Sequence, residues 1–118
     1  MQVSGGTDSV LDHANALAPL LREHAASAEA LRTMPPAIVE ACEAAGMFRL
    51  ALPRSLGGLE CDPLTTIRVI EEMARADGSG GWTAMIGNTT AFTAWLEPEV
   101  ARKILSSAPG SAMAGLLM

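Results

Sequence analysis

The sequence predicts an all-α domain of about five helices. Apolar residues make up 49% of the 118 residues and are mostly Ala, Leu and Met, whereas the chain has no Tyr and only two Phe and two Trp. Alanine, leucine and methionine favour helices, while sheets favour β-branched and aromatic side chains. Apolar residues also recur every three or four positions in several segments, which is the spacing of a helix with one buried face.

The first helix is predicted over residues 10–32 from apolar residues at intervals of three and four. Asp8 or Ser9 is a candidate N-cap, because a short polar side chain can accept hydrogen bonds from the free amides of a helix start. Pro19 lies inside the pattern and lacks an amide hydrogen, so we expect a kink there or a helix proper that begins near it. The predicted buried stripe comprises Val10, Ala14, Leu17, Leu21, Ala25, Ala28 and Leu31.

Two prolines, Pro35 and Pro36, predict the start of a second helix over residues 36–45, because proline suits the first turn of a helix. Gly46 follows it and fits the left-handed position at which a helix stops, where a side chain would clash. The side expected to be buried comprises Ile38, Val39, Cys42 and Ala45.

Residues 47–62 are predicted to form a connector, in which the pair Gly57 and Gly58 forces a turn. Asp62 followed by Pro63 predicts an N-cap and a first-turn proline, and therefore a third helix over residues 63–77. The residues expected to be buried in this helix are Leu64, Ile67, Ile70, Met73 and Ala74.

The last two helices are predicted over residues 80–95 and from Pro98 to about Ser106. Gly78 is expected to end the third helix, and Ser79 is expected to cap the fourth. The glycine-rich stretch 78–81 could attract an anion at a helix start. It has no following lysine and no preceding strand, so a flexible joint between helices is the favoured interpretation.

Charge and hydropathy exclude several classes of protein. The net charge is −5, and the absence of a basic stripe argues against a nucleic-acid partner. No apolar run of about 18 residues is present, so no membrane span is predicted. The polar start of the chain does not resemble a secretory signal, so a cytoplasmic location is expected. Cys42 and Cys61 lack the spacing of a metal or redox motif and are expected to be free thiols.

Three segments in order resemble the N-terminal domain of the acyl-CoA dehydrogenase superfamily. Residues 36–48 resemble its second helix, which ends in glycine and an aromatic residue. Residues 52–59 are similar to its Pro-x-x-x-Gly-Gly turn, and residues 70–79 are similar to its acidic helix that ends before Gly-Ser. The separations between these three segments also agree with those of the superfamily, and the resemblance spans roughly residues 10–106.

The resemblance implies an orthogonal bundle of about five helices that begins a three-part enzyme. It implies residues 1–8 as a flexible N-terminus, residues 9–108 as the helical domain and residues 109–118 as the truncated first strand of a β domain. The missing partners would be the β domain and a C-terminal helical domain, which hold FAD between them and assemble as a homotetramer. This chain alone is expected to bind no FAD and to contain no catalytic residue.

The fourth helix carries the candidate substrate pocket. Trp82, Met85, Ile86 and Thr89 share one face, continued by Phe92 or Thr93 and by Leu96. Apolar walls with a few hydroxyls suit a mostly apolar ligand. A glycine inside a helix indicates close approach by a neighbour, either another helix backbone or a ligand. The pocket candidates are Trp82, Met85, Ile86, Thr89 and Thr90. A solvated polar patch is the alternative for Asn88, Thr89 and Thr90. The small-residue face is Ala84, Gly87, Ala91 and Ala94.

Within the superfamily, Trp82-x-x-x-Ile86-Gly87-x-Thr89 is similar to the flavin-dependent hydroxylases. Many of those have histidine at the position of Thr89. Threonine does not titrate near neutral pH and cannot replace imidazole as a general base. This departure weakens the resemblance to the hydroxylases without removing it.

No catalytic or metal-binding constellation is predicted. His13 and His24 would lie about 16 Å apart along a helix, too far for one metal ion. Glu71 and Glu72 have no histidine partner at the spacing of a di-iron site. These glutamates are expected to form exposed ion pairs with Arg68 and Arg75, which are their neighbours at helical spacing.

Three functions follow from these observations. The first is the substrate-pocket domain of an FAD-dependent oxidoreductase that dehydrogenates an acyl-CoA thioester. The second is the same domain in a two-component flavin-dependent monooxygenase acting on an aromatic or polyketide substrate. The third is a stand-alone helical interaction module without catalysis, whose apolar faces bind a partner chain.

Overall fold

The computed structural model describes residues 6–107, and in this range the chain is helical without any β-strand. The predicted all-α class is confirmed. The expected truncated strand at 109–118 lies outside the described residues. The α-helices are α1 (Thr7–Leu31), α2 (Pro36–Ala44), α3 (Pro63–Ala76), α4 (Gly78–Gly87) and α5 (Pro98–Ser107). Two 3-10 helices, the first at Arg54–Leu56 and the second at Asn88–Trp95, complete the secondary structure.

Helix α1 is the longest element and continues through Pro19. It begins after Gly6, whose backbone is extended and provides no side-chain cap, so the predicted caps Asp8 and Ser9 are wrong: the helix starts before them. Five of the seven predicted stripe residues are buried, Ala25 is half-buried and Leu31 is exposed. Leu31 escapes burial because the chain turns away at Arg32, which adopts the left-handed conformation.

Helix α2 follows the predicted pattern closely. Pro36 occupies its first turn, and Ile38 and Cys42 are buried. Gly46 has φ of +77°, as expected for the stop position, and an added Cβ there would lie 2.9 Å from Leu59 Cδ1. The left-handed glycine therefore ends the helix and also allows Leu59 to pack against it.

The connector between α2 and α3 lies in the core of the domain. Met47, Leu50 and Leu52 are fully buried, and Phe48 is nearly so. The segment folds back on itself through backbone hydrogen bonds, of which that from Cys61 N to Leu50 O measures 2.7 Å. The predicted turn at the Gly57–Gly58 pair is confirmed, with φ of +87° at the first glycine.

Helix α3 begins as predicted, but it buries a different face. The Asp62 carboxylate accepts hydrogen bonds from the Thr65 backbone N–H (2.9 Å) and hydroxyl (2.6 Å), and these bonds lower the pKa of Asp62. The buried residues are Thr65, Val69 and Met73.

The predicted burial of Leu64, Ile67 and Ala74 is wrong, because all three are exposed, while Ile70 is half-buried. Apolar residues occupy most of the circumference of α3, so two stripes compete for burial. Packing of α3 between α1 and α4 selects the stripe at intervals of four.

The predicted fourth helix is two elements. Helix α4 starts at Gly78 and is capped by Asp77, whose carboxylate accepts from Gly80 N at 2.9 Å, so the predicted cap Ser79 is wrong. At Asn88 the chain winds more tightly and continues as the second 3-10 helix to Trp95. Helix α5 then packs against both 3-10 helices through Ala101 and Leu105.

Replacing Gly87 by alanine is expected to destabilise the domain. A Cβ at this position would lie 2.5 Å from Phe48 Cδ1, and the buried ring has little room to move. Overpacking of this kind costs about 1–3 kcal/mol, which outweighs the gain of up to about 1 kcal/mol from removing a helical glycine. Urea unfolding monitored by circular dichroism measures the change.

The matched control is Gly78→Ala, because nothing lies within 4 Å of a Cβ at that position. Gly78→Ala is expected to leave the free energy of unfolding unchanged or slightly raised. Equal effects of the two substitutions would contradict the proposed contact between Gly87 and Phe48.

Candidate functional site

One side of α4 faces away from the body of the domain. Trp82 is 64% exposed and Met85 is 42% exposed, although both are large apolar residues. Ile86 and Thr89 are half-buried beside them. At about 100° per residue, these four positions fall on one side of the helix. We call this set of residues the outward face of α4.

Thr90, the fifth pocket candidate, does not join this face. It is fully buried, and its hydroxyl donates to Gly87 O at 2.7 Å. The tighter winding that starts at Asn88 turns Thr90 toward the core. Thr93 is buried in the same way and donates to Thr90 O at 2.8 Å.

The close neighbour of Gly87 is the ring of Phe48. The expected neighbour was a helix backbone or a ligand, and the helix backbone is wrong because a side chain lies there. A glycine is required because a Cβ would lie 2.5 Å from Phe48 Cδ1. Since Phe48 belongs to the buried connector, this contact sets how closely α4 can approach the core.

Asn88 joins α4 to the same connector through two hydrogen bonds and bonds back to α4 through a third, and we call these three bonds the Asn88 clamp. Its Nδ2 donates to Met47 O at 2.7 Å and to Ala84 O at 2.8 Å. Its Oδ1 accepts from Leu50 N at 2.8 Å. These bonds satisfy backbone groups that would otherwise be buried without partners. Asn88 therefore holds the outward face in a fixed orientation and is not part of a solvated patch.

A surface pocket of about 610 Å³ lies where the end of α1 meets the start of α4. Trp82 lines it, together with Arg32 and Met34, whereas Met85, Ile86 and Thr89 do not. The residues that the end of α1 contributes to this pocket were not predicted from the sequence, because their position depends on how two distant segments pack. The available signal was the glycine-rich joint: a Cβ on Gly80 would lie 2.8 Å from Leu21 Cδ2, so glycine lets the two helices approach.

Arg75 of α3 forms the predicted ion pairs at the surface, at 3.0 Å to Glu71 and 2.8 Å to Glu72. Ion pairs at the surface contribute about 0–1 kcal/mol each, so these two add little to the stability of the domain.

The two cysteines are free thiols, as predicted. Burial, with a smaller contribution from Glu43, raises the pKa of Cys42 to about 11. Burial and the charge of Asp62 also raise the pKa of Cys61. Neither side chain forms the thiolate that nucleophilic chemistry needs near neutral pH.

The described residues 6–107 contain no group of three or more His, Cys, Asp or Glu side chains placed to hold a metal ion. None of their helices combines the length and apolar character that crossing a membrane requires.

Comparison with known proteins identifies relatives over most of this range. Residues 11–107 match the family model of the acyl-CoA dehydrogenase N-terminal domain. The chain is 36% identical to an indole-3-acetate monooxygenase from Pseudomonas putida over 78 residues, which cover 66% of this chain and 20% of the relative.

It is 39% identical to a flavin-dependent monooxygenase, the oxygenase subunit HsaA, from Rhodococcus jostii, over 61% of this chain and 19% of that protein. It is 27% identical to a pigment production hydroxylase from Rhodococcus erythropolis, over 95% of this chain and 29% of that protein. No solved structure matches. The matched region thus spans about a fifth of the length of the first two relatives.

Replacing Asn88 by alanine is expected to destabilise the domain by about 2–6 kcal/mol. The substitution leaves Leu50 N–H and Met47 C=O without their partners, and each buried unsatisfied group costs about 1–3 kcal/mol. Asn88→Asp keeps the acceptor for Leu50 but loses the donor, so it should also destabilise. Urea denaturation measures both variants.

Met85→Ala serves as the control, since it removes an exposed side chain from the same helix. It is expected to change the free energy of unfolding by less than about 0.5 kcal/mol. An Asn88→Ala variant as stable as Met85→Ala would show that the clamp contributes nothing.

Proposed function

The chain belongs to the acyl-CoA dehydrogenase N-terminal domain family, and from this premise we propose that it forms one wall of the substrate pocket in a flavin-dependent monooxygenase. The observation that carries the proposal is the outward face of α4, where the indole of Trp82 and the thioether of Met85 are exposed to solvent. Large apolar side chains exposed together mark a surface that binds an apolar ligand or another part of a protein.

The relatives favour oxygenation as the reaction. Two of them are named as monooxygenases and a third as a hydroxylase, and all three are matched through this domain. A ring substrate suits the outward face, because Trp82 offers an aromatic surface and Met85 a polarizable neighbour that adapts to ring edges. We therefore place an aromatic small molecule first as the substrate class.

Thr89 limits what this wall can do chemically. A hydroxyl can donate or accept a hydrogen bond and so can orient a polar group of the substrate. It cannot remove or supply a proton as a base near neutral pH. The chain's contribution is therefore to position the substrate and exclude water, and the groups that handle protons belong to other parts of the enzyme.

The outward face of α4 does not fit the phosphates of a flavin nucleotide. The outward face offers apolar atoms and one hydroxyl, whereas the phosphates of a flavin nucleotide need cationic groups or free amides. In the proposed enzyme a flavin, with FAD as the expected form, is held chiefly by the β domain and C-terminal helical domain. A homotetramer is the expected assembly, and the 118-residue chain alone is expected to remain colourless.

Dehydrogenation of an acyl-CoA thioester is the second candidate. It is favoured by the family itself, which is named for acyl-CoA dehydrogenases. The outward face would then contact an acyl chain. The names of the relatives reported above do not support this reaction, so it ranks below oxygenation.

The two reactions are distinguished with the longest gene product that contains these residues. A monooxygenase consumes one O₂ and one reduced flavin, places one oxygen atom in the product and releases the other as water. We expect ¹⁸O from ¹⁸O₂ to appear in the hydroxylated product of indole-3-acetate when a separate reductase supplies reduced flavin. Anaerobic bleaching of bound flavin by butyryl-CoA or octanoyl-CoA, without ¹⁸O incorporation, would instead establish the dehydrogenase.

Trp82→Ala in the same gene product is expected to raise the KM for the ring substrate about tenfold, equivalent to about 1.4 kcal/mol of lost contact. Steady-state kinetics measure the change. Val100→Ala, which shortens an exposed apolar residue on α5, should leave KM unchanged. If the two variants behave alike, the outward face of α4 does not contact the substrate.

A further inference from the structure

The second 3-10 helix is unusually long. It covers eight residues, Asn88–Trp95, whereas 3-10 runs of more than three or four residues are uncommon because their hydrogen bonds are poorly aligned. It closes with a hydrogen bond of 3.1 Å from Leu96 N to Thr93 O, three residues back. Its persistence therefore needs a physical cause outside the backbone of the segment.

One cause is a set of buried residues at intervals of three. Gly87, Thr90 and Thr93 are all buried, and each threonine hydroxyl bonds a carbonyl three residues before it. Residues three apart lie directly above one another in a 3-10 helix. The opposite side carries Phe92 and Trp95, whose rings stack with centroids 4.9 Å apart. We call this arrangement the 3-10 register.

The same residues contain a second stripe with α-helical spacing. Ala84, Gly87, Ala91 and Ala94 follow one another at intervals of three, four and three. An α-helix continued from Gly87 would direct Ala91 and Ala94 to the core, where only small residues fit beside Phe48. In the structure Ala91 is half-buried and Ala94 is exposed, so this α register is present in the sequence but not used.

The ends of the segment decide between the registers. The Asn88 clamp holds the first end, and the buried Ala101 and Leu105 hold α5 beyond the second. Eight residues span about 16 Å as a 3-10 helix but only about 12 Å as an α-helix. Leu96, which links the segment to α5, is already extended, with ψ of 163°. The distance between the two anchors therefore favours the longer form.

We propose that residues 88–95 form a register switch, in which the position of α5 selects between the 3-10 and the α register. Moving α5 toward Asn88 by about 4 Å matches the shorter span of an α-helix and so allows the α register. At 20° per residue, rewinding from Gly87 turns Trp95 by about 160° and Phe92 by about 100°. The switch moves the exposed aromatic pair to another side of the helix, where the two rings remain neighbours at i and i+3, and it turns Thr89 by about 40°.

The test adds length to the link without removing either anchor. Inserting one glycine between Leu96 and Glu97 adds about 3.5 Å of reach. We expect nuclear Overhauser contacts between residues i and i+2 to dominate over residues 88–95 in the native chain. In the insertion variant these contacts should give way to contacts between i and i+4, and helical circular dichroism should increase. Leu96→Gly, which loosens the link without lengthening it, should retain the native pattern.

A second substitution assigns the register. Ala94→Lys alone should leave the native chain unchanged, since Ala94 is exposed. Added to the insertion variant, it should restore the 3-10 pattern, because the α register would bury the lysine. If the insertion variant does not fold, Leu105→Ala provides the same test, because it removes a buried side chain that anchors α5 and so releases the second end of the segment.

Three results would overturn the proposal. The first is an α pattern over residues 88–95 in the native chain. The second is an unchanged 3-10 pattern in the insertion variant or, if that variant fails to fold, in Leu105→Ala. The third is an insertion variant that stays α-helical when Ala94 is replaced by lysine.

Discussion

The structure depends on the burial of a non-helical segment among helices. Met47, Phe48, Leu50 and Leu52 lie in the core, where a buried backbone N–H or C=O group must find a partner within the protein. Residues 59–61 supply some of these partners, and the Asn88 clamp supplies two more. The clamp and the contact between Phe48 and Gly87 also determine the rotation of α4 about its axis. The exposure of Trp82 and Met85 is thus a consequence of how the connector is buried.

Features that depend on local chemistry were predictable from the sequence. The Asp62 cap, the left-handed Gly46 and the Gly57–Gly58 turn each depend on residues within a few positions of one another. The buried face of α3 was predicted wrongly because its apolar residues surround the helix, and only the positions of α1 and α4 decide which of them are covered. The core position of residues 47–52 was missed for a related reason: the segment has no helical periodicity, and its hydrogen-bond partner Asn88 is about 40 residues away.

The candidate site also contains residues whose positions were predictable from the sequence and others whose positions were not. Trp82, Met85, Ile86 and Thr89 were expected to share one side, and they do, because they lie on or beside one regular helix. Thr90 turns inward because the chain changes from 3.6 to about three residues per turn just before it. The pocket formed with Arg32 and Met34 depends on the packing of α1 on α4. The glycine-rich joint was the one feature of the sequence that indicated this packing.

The composition of the outward face explains how one domain can match a family named for dehydrogenases and relatives named for oxygenation. We propose that an indole, a thioether, an aliphatic side chain and one hydroxyl position an apolar substrate there, and these groups commit to no particular bond change. Under the proposed function, the cofactor and the proton-transferring groups lie in other domains, so reaction type can diverge while this wall is retained. Thr89 is the position on this wall at which a change of residue would change the chemistry. Histidine there could transfer a proton, whereas threonine can only orient the substrate.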